Sequence, residues 1–411
     1  MQALLGIPLL LALAWAISED RAAIRWRTVA GGIGLQFLLA LLLLNAPPAR
    51  AAVLLLNHAM DALQRATDAG TAFVFGYLGG AALPFVETHP GASFVLAFKI
   101  LPLVLVISAL SSLLHYWGIL QRVTGAFAWL LARTLGIGGA LSLGAATHIF
   151  LGMIEAPLLI RPYLARMSRG ELFALMSCGM AGVAGTVMVL YASFLKTVLP
   201  DALGAILVAS VVSTPAALAV AALMVPFTAS AHDAALAVHE RPASTLDALA
   251  RGTLDGVEPL VGILTMLLVA VALVTLVNDA LAGLPPVFGA PVTLQGLFAL
   301  PFQPVMWLVG LPWHETAVAA TLMGTKTVLN ELVAYLDFSK LPASALAPHS
   351  RLIVTFCLCG FANFGSLGIL IGGMGAMVPE RRGEIVQLGL RSIVSGTIAT
   401  CLSGATAGLI T

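Results

Sequence analysis

Two isolated carboxylates, Glu155 and Glu331, stand in apolar segments of this 411-residue chain, each ahead of a Cys-Gly pair. The pairs begin at Cys178 and Cys359, and further glycines follow each of them. A carboxylate at mid-membrane costs on the order of 3 kcal/mol on insertion scales, so it normally faces a cavity or a partner. Glycine-interrupted apolar segments in corresponding places of two halves indicate a carrier, whose broken helices expose backbone groups to a solute. The residues therefore predict a solute site between the two copies.

Four further polar residues lie close to these motifs. Asn363 and Ser366 stand three residues apart, so in a helix they would share a face. Both donate and accept hydrogen bonds, which suits sugar hydroxyls, although bonding between helices is an alternative role. Glu331 could instead pair with a buried donor such as Lys326, and His148 could either be neutral or carry a proton. The residues by themselves leave these alternatives open.

The composition places the chain in a membrane. Hydrophobic residues make up 60% of it and charged residues 9%, with a mean hydropathy of +1.01. A soluble domain carries about 25% charged residues, so this chain must be solvated mostly by lipid. Its net charge of +1 gives no reason to expect a nucleic-acid partner. The four cysteines lack zinc-ligand spacing and no catalytic cluster is visible, so we expect neither a metal or other cofactor nor an enzyme.

The hydrophobic pattern predicts the helices. Continuous spans are readable near 3–17, 28–46, 94–116, 172–195, 202–226, 256–280, 352–378 and 385–410. Charges among the leucines and alanines of 50–68 and 119–134 indicate helices in the membrane interface. Residues 140–165 and 300–337 are apolar but interrupted at their centres, which suits re-entrant hairpins covered by protein or a watery cavity. We predict an all-α polytopic membrane protein with about eight transmembrane helices, two re-entrant hairpins and interfacial helices.

The distribution of Lys and Arg orients these spans. With 18–27 in the cytoplasm and each hairpin counted as no crossing, twelve of the twenty basic residues lie inside. They are Arg21, Arg25, Arg27, Arg122, Arg133, Arg161, Arg166, Arg169, Arg241, Arg251, Arg381 and Arg382. The hairpins then enter from opposite faces, which makes the two halves an inverted repeat. The predicted parts are an N-terminal scaffold (1–139), a first repeat (140–226), a loop with a scaffold helix and an interfacial segment (227–299), and a second repeat (300–411).

At these residues the chain resembles the concentrative nucleoside transporter family. The matching strings extend over almost the whole chain in family order. They are Gly-Thr-Ala-Phe-Val-Phe-Gly at 70–76, Glu-Ala-Pro-Leu-Leu-Ile-Arg-Pro at 155–162, Glu-Leu-Phe-Ala-Leu-Met at 171–176, Pro-Trp-His-Glu-Thr-Ala at 312–317, Lys-Thr-Val-Leu-Asn-Glu-Leu-Val-Ala-Tyr at 326–335, Cys-Gly-Phe-Ala-Asn at 359–363 and Pro-Glu-Arg-Arg-Gly at 379–383. The resemblance implies a homotrimer whose transport domain moves like an elevator against a scaffold.

The resemblance also implies roles for site residues. The nucleobase would lie at the first hairpin tip, and the ribose at the second hairpin and its broken helix. The implied substrate residues are Gly152, Met153, Ile154 and Glu155 for the base end, and Glu331, Asn363 and Ser366 for the ribose, with Phe361 lining the pocket. Family members commonly carry Gly-Gln-Thr-Glu or Gly-Gln-Ser-Glu at the first tip. The apolar chains found here cannot make those hydrogen bonds, so base preference stays open.

The ion site departs from the family in the same way. Sodium-coupled members place an Asn where this chain has His148 and a Ser where it has Gly182, whereas carbonyls near Leu151 and Val183 would remain. An imidazole is a poor ligand for a hard alkali cation, which prefers oxygen, and glycine supplies no hydroxyl. We therefore hypothesise proton coupling through Glu155 or His148, with sodium as the alternative ion.

Together these features predict an ion-coupled secondary active transporter that imports nucleosides across the inner membrane of a bacterium by elevator-type alternating access. A carrier of the same fold for another polar or heterocyclic solute is one alternative, and a sodium-coupled nucleoside symporter is another. The inverted repeat with hairpins argues against a channel.

Overall fold

The computed structural model describes residues 2–89, 92–196, 198–228, 242–286 and 291–411. Within those residues all regular secondary structure is helical. Arg241, which the basic-residue count placed in the cytoplasm, lies outside the described residues.

The segment before the first repeat forms six helices and one short 3-10 turn. They are α1 (Gln2–Ala16), α2 (Trp26–Asn45), α3 (Pro47–Phe75), the turn Gly76–Gly79, α4 (Leu96–Lys99), α5 (Leu103–Tyr116) and α6 (Ile119–Leu135). Pro47 starts α3 because a proline at the first helical position loses no intrahelical hydrogen bond. Gly136 ends α6 in the left-handed region, at a φ of 64°, which a residue with a side chain rarely adopts.

The first repeat consists of a hairpin, a broken helix and a plain helix. Its elements are α7 (Gly139–Thr147), α8 (Glu155–Leu159), α9 (Arg161–Leu164), α10 (Arg169–Ala181), α11 (Gly185–Leu195) and α12 (Ala202–Met224). Ser168 and Glu171 form a capping box that starts α10, so the sequence fixes where the broken helix begins.

In the described part of the connection between the repeats there are three helices, and the second repeat then copies the order of the first. The connecting helices are α13 (Thr245–Asp255), α14 (Val257–Leu281) and α15 (Leu294–Val309). The second repeat has α16 (Trp313–Val328) and α17 (Glu331–Ser339) as its hairpin, α18 (Pro348–Leu358) and α19 (Phe364–Met377) as its broken helix, a 3-10 turn at Pro379–Arg381, and α20 (Arg382–Ile410).

The predicted start of the second hairpin at residue 300 was wrong. Residue 300 lies inside α15, a continuous helix that contains two prolines and packs along α16 and α1. The helix ends at Gly310, whose φ of 124° is accessible to glycine, and Pro312 precedes the first turn of the hairpin. The apolar run of α15, with its internal prolines, resembles one arm of a hairpin in sequence. The second hairpin begins instead after the Gly310–Pro312 turn.

The predicted count of about eight spans agrees with the structure. Among the described residues, six helical stretches are long and apolar enough to cross a membrane: Trp26–Asn45, Leu96–Tyr116, Arg169–Leu195, Ala202–Met224, Thr245–Leu281 and Pro379–Ile410. The other two predicted spans correspond to α1, which has 15 residues, and to the broken pair α18 and α19.

The centre of the molecule is α12, which is buried along almost its whole length against α2, α10 and α20. α1 also packs on α20 and α12, so the first two helices lie with the repeats, and α2 contacts α3 and α6 as well. By contrast, α5 packs chiefly on α13, and Val274 is the one buried residue of α14. The packing thus separates a large unit built on α12 from a smaller one around α5, α13 and α14.

Segments that the basic-residue count placed in the cytoplasm are joined by ion pairs. Glu19, in the α1–α2 loop, accepts hydrogen bonds from Arg169 at 3.0 Å and from Arg391. Arg169 also lies 3.7 Å from Glu384, while Arg381 donates to two carbonyls at and just after the end of α9. The hydrogen bond from Arg169, helped by the charge of both arginines, lowers the pKa of Glu19 below its usual value of 4.5. This network ties the first loop to both repeats.

We predict that Glu19→Gln destabilises the protein by about 1 kcal/mol at pH 7, the upper range for partly exposed ion pairs. Because the folded-state pKa of Glu19 is lowered, its contribution is complete above the unfolded pKa and is lost as pH falls through the folded value. The gap in unfolding temperature between wild type and variant should therefore close below pH 4.5 in detergent. Glu380→Gln, an exposed acid of the same region, is the control. A gap that is constant with pH would contradict this assignment.

Candidate functional site

The two helix breaks meet at the centre of the large unit. The first break lies between α10 and α11, and its Gly182 carbonyl accepts a hydrogen bond from the N–H of Phe361 in the second break, at 3.2 Å. The N–H of Gly185 at the start of α11 donates to the carbonyl of Phe150 in the first hairpin turn, at 3.0 Å. Backbone groups that a broken helix leaves unpaired are thus satisfied by the other break and by the hairpin.

Glu331 is held by residues from both repeats. The residue is only 4% exposed. Its Oε1 accepts from the hydroxyl of Tyr191 on α11 at 2.6 Å, and its Oε2 accepts from Nδ2 of Asn363 at 2.8 Å. Asn330 caps α17 by accepting from the N–H of Val333 at 3.0 Å, so the carboxylate also sits in the first turn of a helix, where the dipole favours negative charge. The carboxylate is therefore fixed from two sides.

Asn363 and Ser366 are brought together, but their predicted arrangement on one helical face was wrong. Asn363 has extended backbone and is the N-cap of α19, where its Oδ1 accepts from the N–H of Ser366 at 2.7 Å. The residue is fully buried. One amide side chain therefore starts the helix with its oxygen and holds Glu331 with its nitrogen.

Lys326 does not form the ion pair with Glu331 that the sequence left open. Its ammonium is fully buried and donates to the carbonyl of Cys357 at 2.8 Å, with Thr400 at 3.5 Å. Cys357 lies in the last turn of α18, where carbonyls lack partners and a cation is favoured. Lys326 thus closes the end of the broken helix and leaves Glu331 to neutral donors.

The first hairpin tip is built differently. Glu155 starts α8, is exposed and lies against Gly152, outside the Glu331 cluster. Met153 is buried, whereas Ile154 extends onto α19 so closely that a Cβ on Gly373 would overlap its Cδ1. At the other end of α19 the carbonyl of Leu329, in the second tip, lies near Gly365. At 1.5 Å per residue, the two tip contacts stand about 12 Å apart along α19, and this helix spans the gap between the tips.

Two of the candidate ion residues, His148 and Gly182, lie beside the first break, where the imidazole of His148 is next to Gly179 and its carbonyl is next to Gly182. His148 is 3% exposed, and its Nε2 has no hydrogen-bond partner among the described residues. A Cβ on Gly182 would lie 3.3 Å from Oγ of Ser210 and 3.7 Å from the carbonyl oxygen of His148. Ser210 is fully buried, and within the described chain its hydroxyl likewise has no partner. Val183, which directly follows Gly182, is buried, and Leu151 in the first hairpin turn is half-buried.

Two residues of these clusters were not anticipated from the sequence. Tyr191 contacts Glu331 from the other repeat, and Ser210 faces Gly182 from α12. A tyrosine within an apolar span is a signal that could have found the first residue, since its hydroxyl needs a partner there. No comparable signal marks Ser210 among the many serines of the chain.

Comparisons with known proteins agree with this architecture. Family models described as the N-terminal and C-terminal parts of Na+ dependent nucleoside transporters match residues 5–78 and 205–408, and a model described as nucleoside recognition matches 97–198. An uncharacterized transporter of Haemophilus influenzae is 37% identical over 420 residues, which cover 100% of this chain and 97% of the relative. The putative nucleoside permease NupX of Escherichia coli is 33% identical, covering 99% and 98%.

The chain belongs to the concentrative nucleoside transporter family. Solved structures of CNTnw superimpose on it closely: the inward-facing substrate-bound state has a TM-score of 0.90 at 36% identity, covering 100% of this chain and 97% of that one. A double variant of CNTnw in an outward-facing state gives 0.88 at 34% identity. The family thus includes Na+ dependent members and alternating-access structures, and its members are nucleoside transporters of membranes rather than enzymes.

The contact of Ile154, in the first tip, with Gly373 of α19 can be tested by mutation. We predict that Gly373→Ala lowers the unfolding temperature, because the added methyl group overlaps Ile154 and overpacking costs about 1–3 kcal/mol. Gly372→Ala is the matched control, since nothing lies within 4 Å of a Cβ at that position. Adding Ile154→Ala to Gly373→Ala should restore the temperature. Equal effects of the two alanine variants would contradict this placement of the tip.

Proposed function

We propose that this transporter imports nucleosides and that it anchors them chiefly through the ribose. The main support for this proposal is the Glu331 carboxylate. It is buried, accepts a hydrogen bond at each of its oxygens and is linked through Asn363 to the start of α19. Ribose hydroxyls can donate hydrogen bonds to a carboxylate that is fixed in place. Charge-assisted hydrogen bonds of this kind are about twice as strong as neutral ones. Ser366 and Phe361 lie beside the cluster and would complete the sugar end.

The base end is proposed to be read by shape more than by hydrogen bonds. Met153 and Ile154 offer only apolar chains, so Glu155 is the polar side chain available at the first tip. A site with few polar groups rejects related bases weakly, because a wrong base leaves no buried donor or acceptor unpaired. A non-nucleoside heterocycle is the second candidate substrate, and the same apolar tip is the observation that favours it.

We propose that import is driven by protons. His148 presents a buried nitrogen without a hydrogen-bond partner among the described residues, where sodium-coupled relatives present an amide oxygen. Gly182 leaves that region without the second side-chain oxygen, although the hydroxyl of Ser210 faces it. Glu155 at the exposed tip is the second candidate carrier of the proton. Sodium remains the alternative, since the family has Na+ dependent members.

The proposed mechanism is elevator-type alternating access in the inner membrane of a bacterium. Solute and ion would close both tips over the site, and the unit built on α12 would then move against the group of α5, α13 and α14. The scaffold in this proposal therefore excludes α1 and α2, which pack with the repeats. The homotrimer is proposed from the family resemblance, and the exposed face of α14, a helix in which Val274 is the one buried residue, is a surface that a neighbouring copy could cover.

We predict that Glu331→Gln and Asn363→Ala abolish nucleoside uptake into liposomes while the oligomer stays intact on size exclusion. Asn363→Ser separates the two roles of the amide, because the hydroxyl of serine still caps α19 but the shorter side chain does not reach Glu331 as the amide nitrogen does. It should therefore fold as wild type and lose uptake. Glu380→Gln serves as the control for removal of an acid. Near-normal transport by Glu331→Gln and Asn363→Ser would refute the ribose site.

The coupling ion is tested in the same liposomes. We expect an inward pH gradient to drive uptake without sodium, and a sodium gradient at fixed pH to have no effect. The double substitution His148→Asn with Gly182→Ser should install sodium dependence, because it restores both side-chain oxygens. A Cβ at Gly182 lies 3.3 Å from Oγ of Ser210, so the new serine fits once that hydroxyl shifts by a few tenths of an ångström. Sodium-driven uptake by the wild-type protein that ignores the pH gradient would refute proton coupling and leave the substrate assignment standing.

A further inference from the structure

One hydrogen bond of the site joins the two repeats and has no counterpart at the other tip. Tyr191 lies on α11 of the first repeat and donates at 2.6 Å to Glu331 of the second hairpin. Tyr191 is the thirteenth residue after Cys178, and the thirteenth residue after Cys359 is Gly372. The first-tip acid, Glu155, accordingly has no hydroxyl facing it from the equivalent position, and it is exposed whereas Glu331 is buried. The inverted repeat is therefore asymmetric at its two acids.

We propose that Tyr191 is the positioning residue that gives the site its preference for a vicinal diol, a step that rests on the proposed nucleoside function. An ionised carboxylate has about four acceptor positions, two on each oxygen. Tyr191 takes one on Oε1 and Asn363 takes one on Oε2. One acceptor position is then left on each oxygen, which is the number that two adjacent ribose hydroxyls require.

The tyrosine is itself held rigidly. Its side chain is buried, and its ring packs against Tyr335 with centroids 5.2 Å apart. Tyr335 stands one turn after Glu331 on α17, and its own hydroxyl donates to the carbonyl of Thr355 on α18 at 2.9 Å. The hydroxyl of Tyr191 therefore cannot follow a displaced carboxylate, and the bond fixes the orientation of Glu331 toward the solute.

Tyr335 also supplies the matched control. Both tyrosines are buried, touch each other and donate one hydrogen bond, but only Tyr191 donates to Glu331. Tyr191→Phe and Tyr335→Phe each remove one oxygen and keep the ring. A difference between the two variants in diol preference consequently reports the Glu331 contact, because the loss of a buried hydroxyl is common to both.

The experiment measures dissociation constants of the purified full-length protein for uridine, 2′-deoxyuridine and 3′-deoxyuridine, and for the same adenosine series. We expect wild type to prefer the ribonucleosides. Tyr191→Phe should weaken ribonucleoside binding about 10-fold, the equivalent of about 1.4 kcal/mol, and change deoxynucleoside binding less than 3-fold, so that the preference collapses. Tyr335→Phe should keep the wild-type preference. The effects of removing the Tyr191 hydroxyl and of removing a ribose hydroxyl would then not be additive. Such non-additivity is expected when the side chain and the ligand hydroxyl interact through the same carboxylate.

The proposal would be overturned if Tyr191→Phe weakened the binding of every member of a series by the same factor. It would also be overturned if the variant kept the full preference for the ribonucleosides. Glu331→Asp provides a second test, because it retains the charge but withdraws the carboxylate by one methylene and cannot meet Tyr191 and a diol together. The Glu331→Asp variant should also lose the preference for ribonucleosides. If it keeps that preference, the proposal is likewise overturned. If wild type binds no nucleoside of either series, the proposed function itself fails.

Discussion

The structure depends on one constraint: a helix interrupted inside a membrane leaves backbone groups that must find partners within the protein. The chain meets it by letting the two interruptions serve each other. Phe361 of one break donates to Gly182 of the other, and Lys326 closes the carbonyl end of α18. Asn363 closes the amide end of α19. The groups that make the breaks tolerable are thus the same groups that surround the candidate site.

The two hairpin tips differ in how they are attached to the helix breaks. The second tip is tied into the break through Asn363 and reached by Tyr191, so its acid is rigid and buried. The first tip rests on α19 through an apolar contact of Ile154 with Gly373, and its acid stays exposed. A rigid acceptor suits the part common to all nucleosides. An apolar and less constrained tip suits a part that varies.

Much of this architecture was predictable, because lipid imposes long apolar spans and makes interrupted ones conspicuous. Glu331 and Asn363 could be selected because isolated polar residues in such segments need partners. The start of the second hairpin could not, since α15 is as apolar as a hairpin arm and its boundary depends on the φ of Gly310. Tyr191 was missed because its bond crosses 140 residues of chain between repeats. Spacing reports neighbours along one helix, whereas this contact exists only once the inverted halves have interlocked.

The two orphaned polar groups at the first break bear on how solute and ion are linked. Nε2 of His148 and Oγ of Ser210 are buried without partners among the described residues, which costs stability in the absence of a bound species. Oγ of Ser210 faces Gly182, whose carbonyl is bonded to Phe361 in the other break, and Nε2 of His148 lies beside Gly179, three residues earlier in α10. Phe361 is two residues from Asn363, which holds Glu331, the proposed acceptor for the ribose. A proton or cation that satisfied these groups would stabilise the first break, which this hydrogen bond joins to the second break and so to the proposed sugar site.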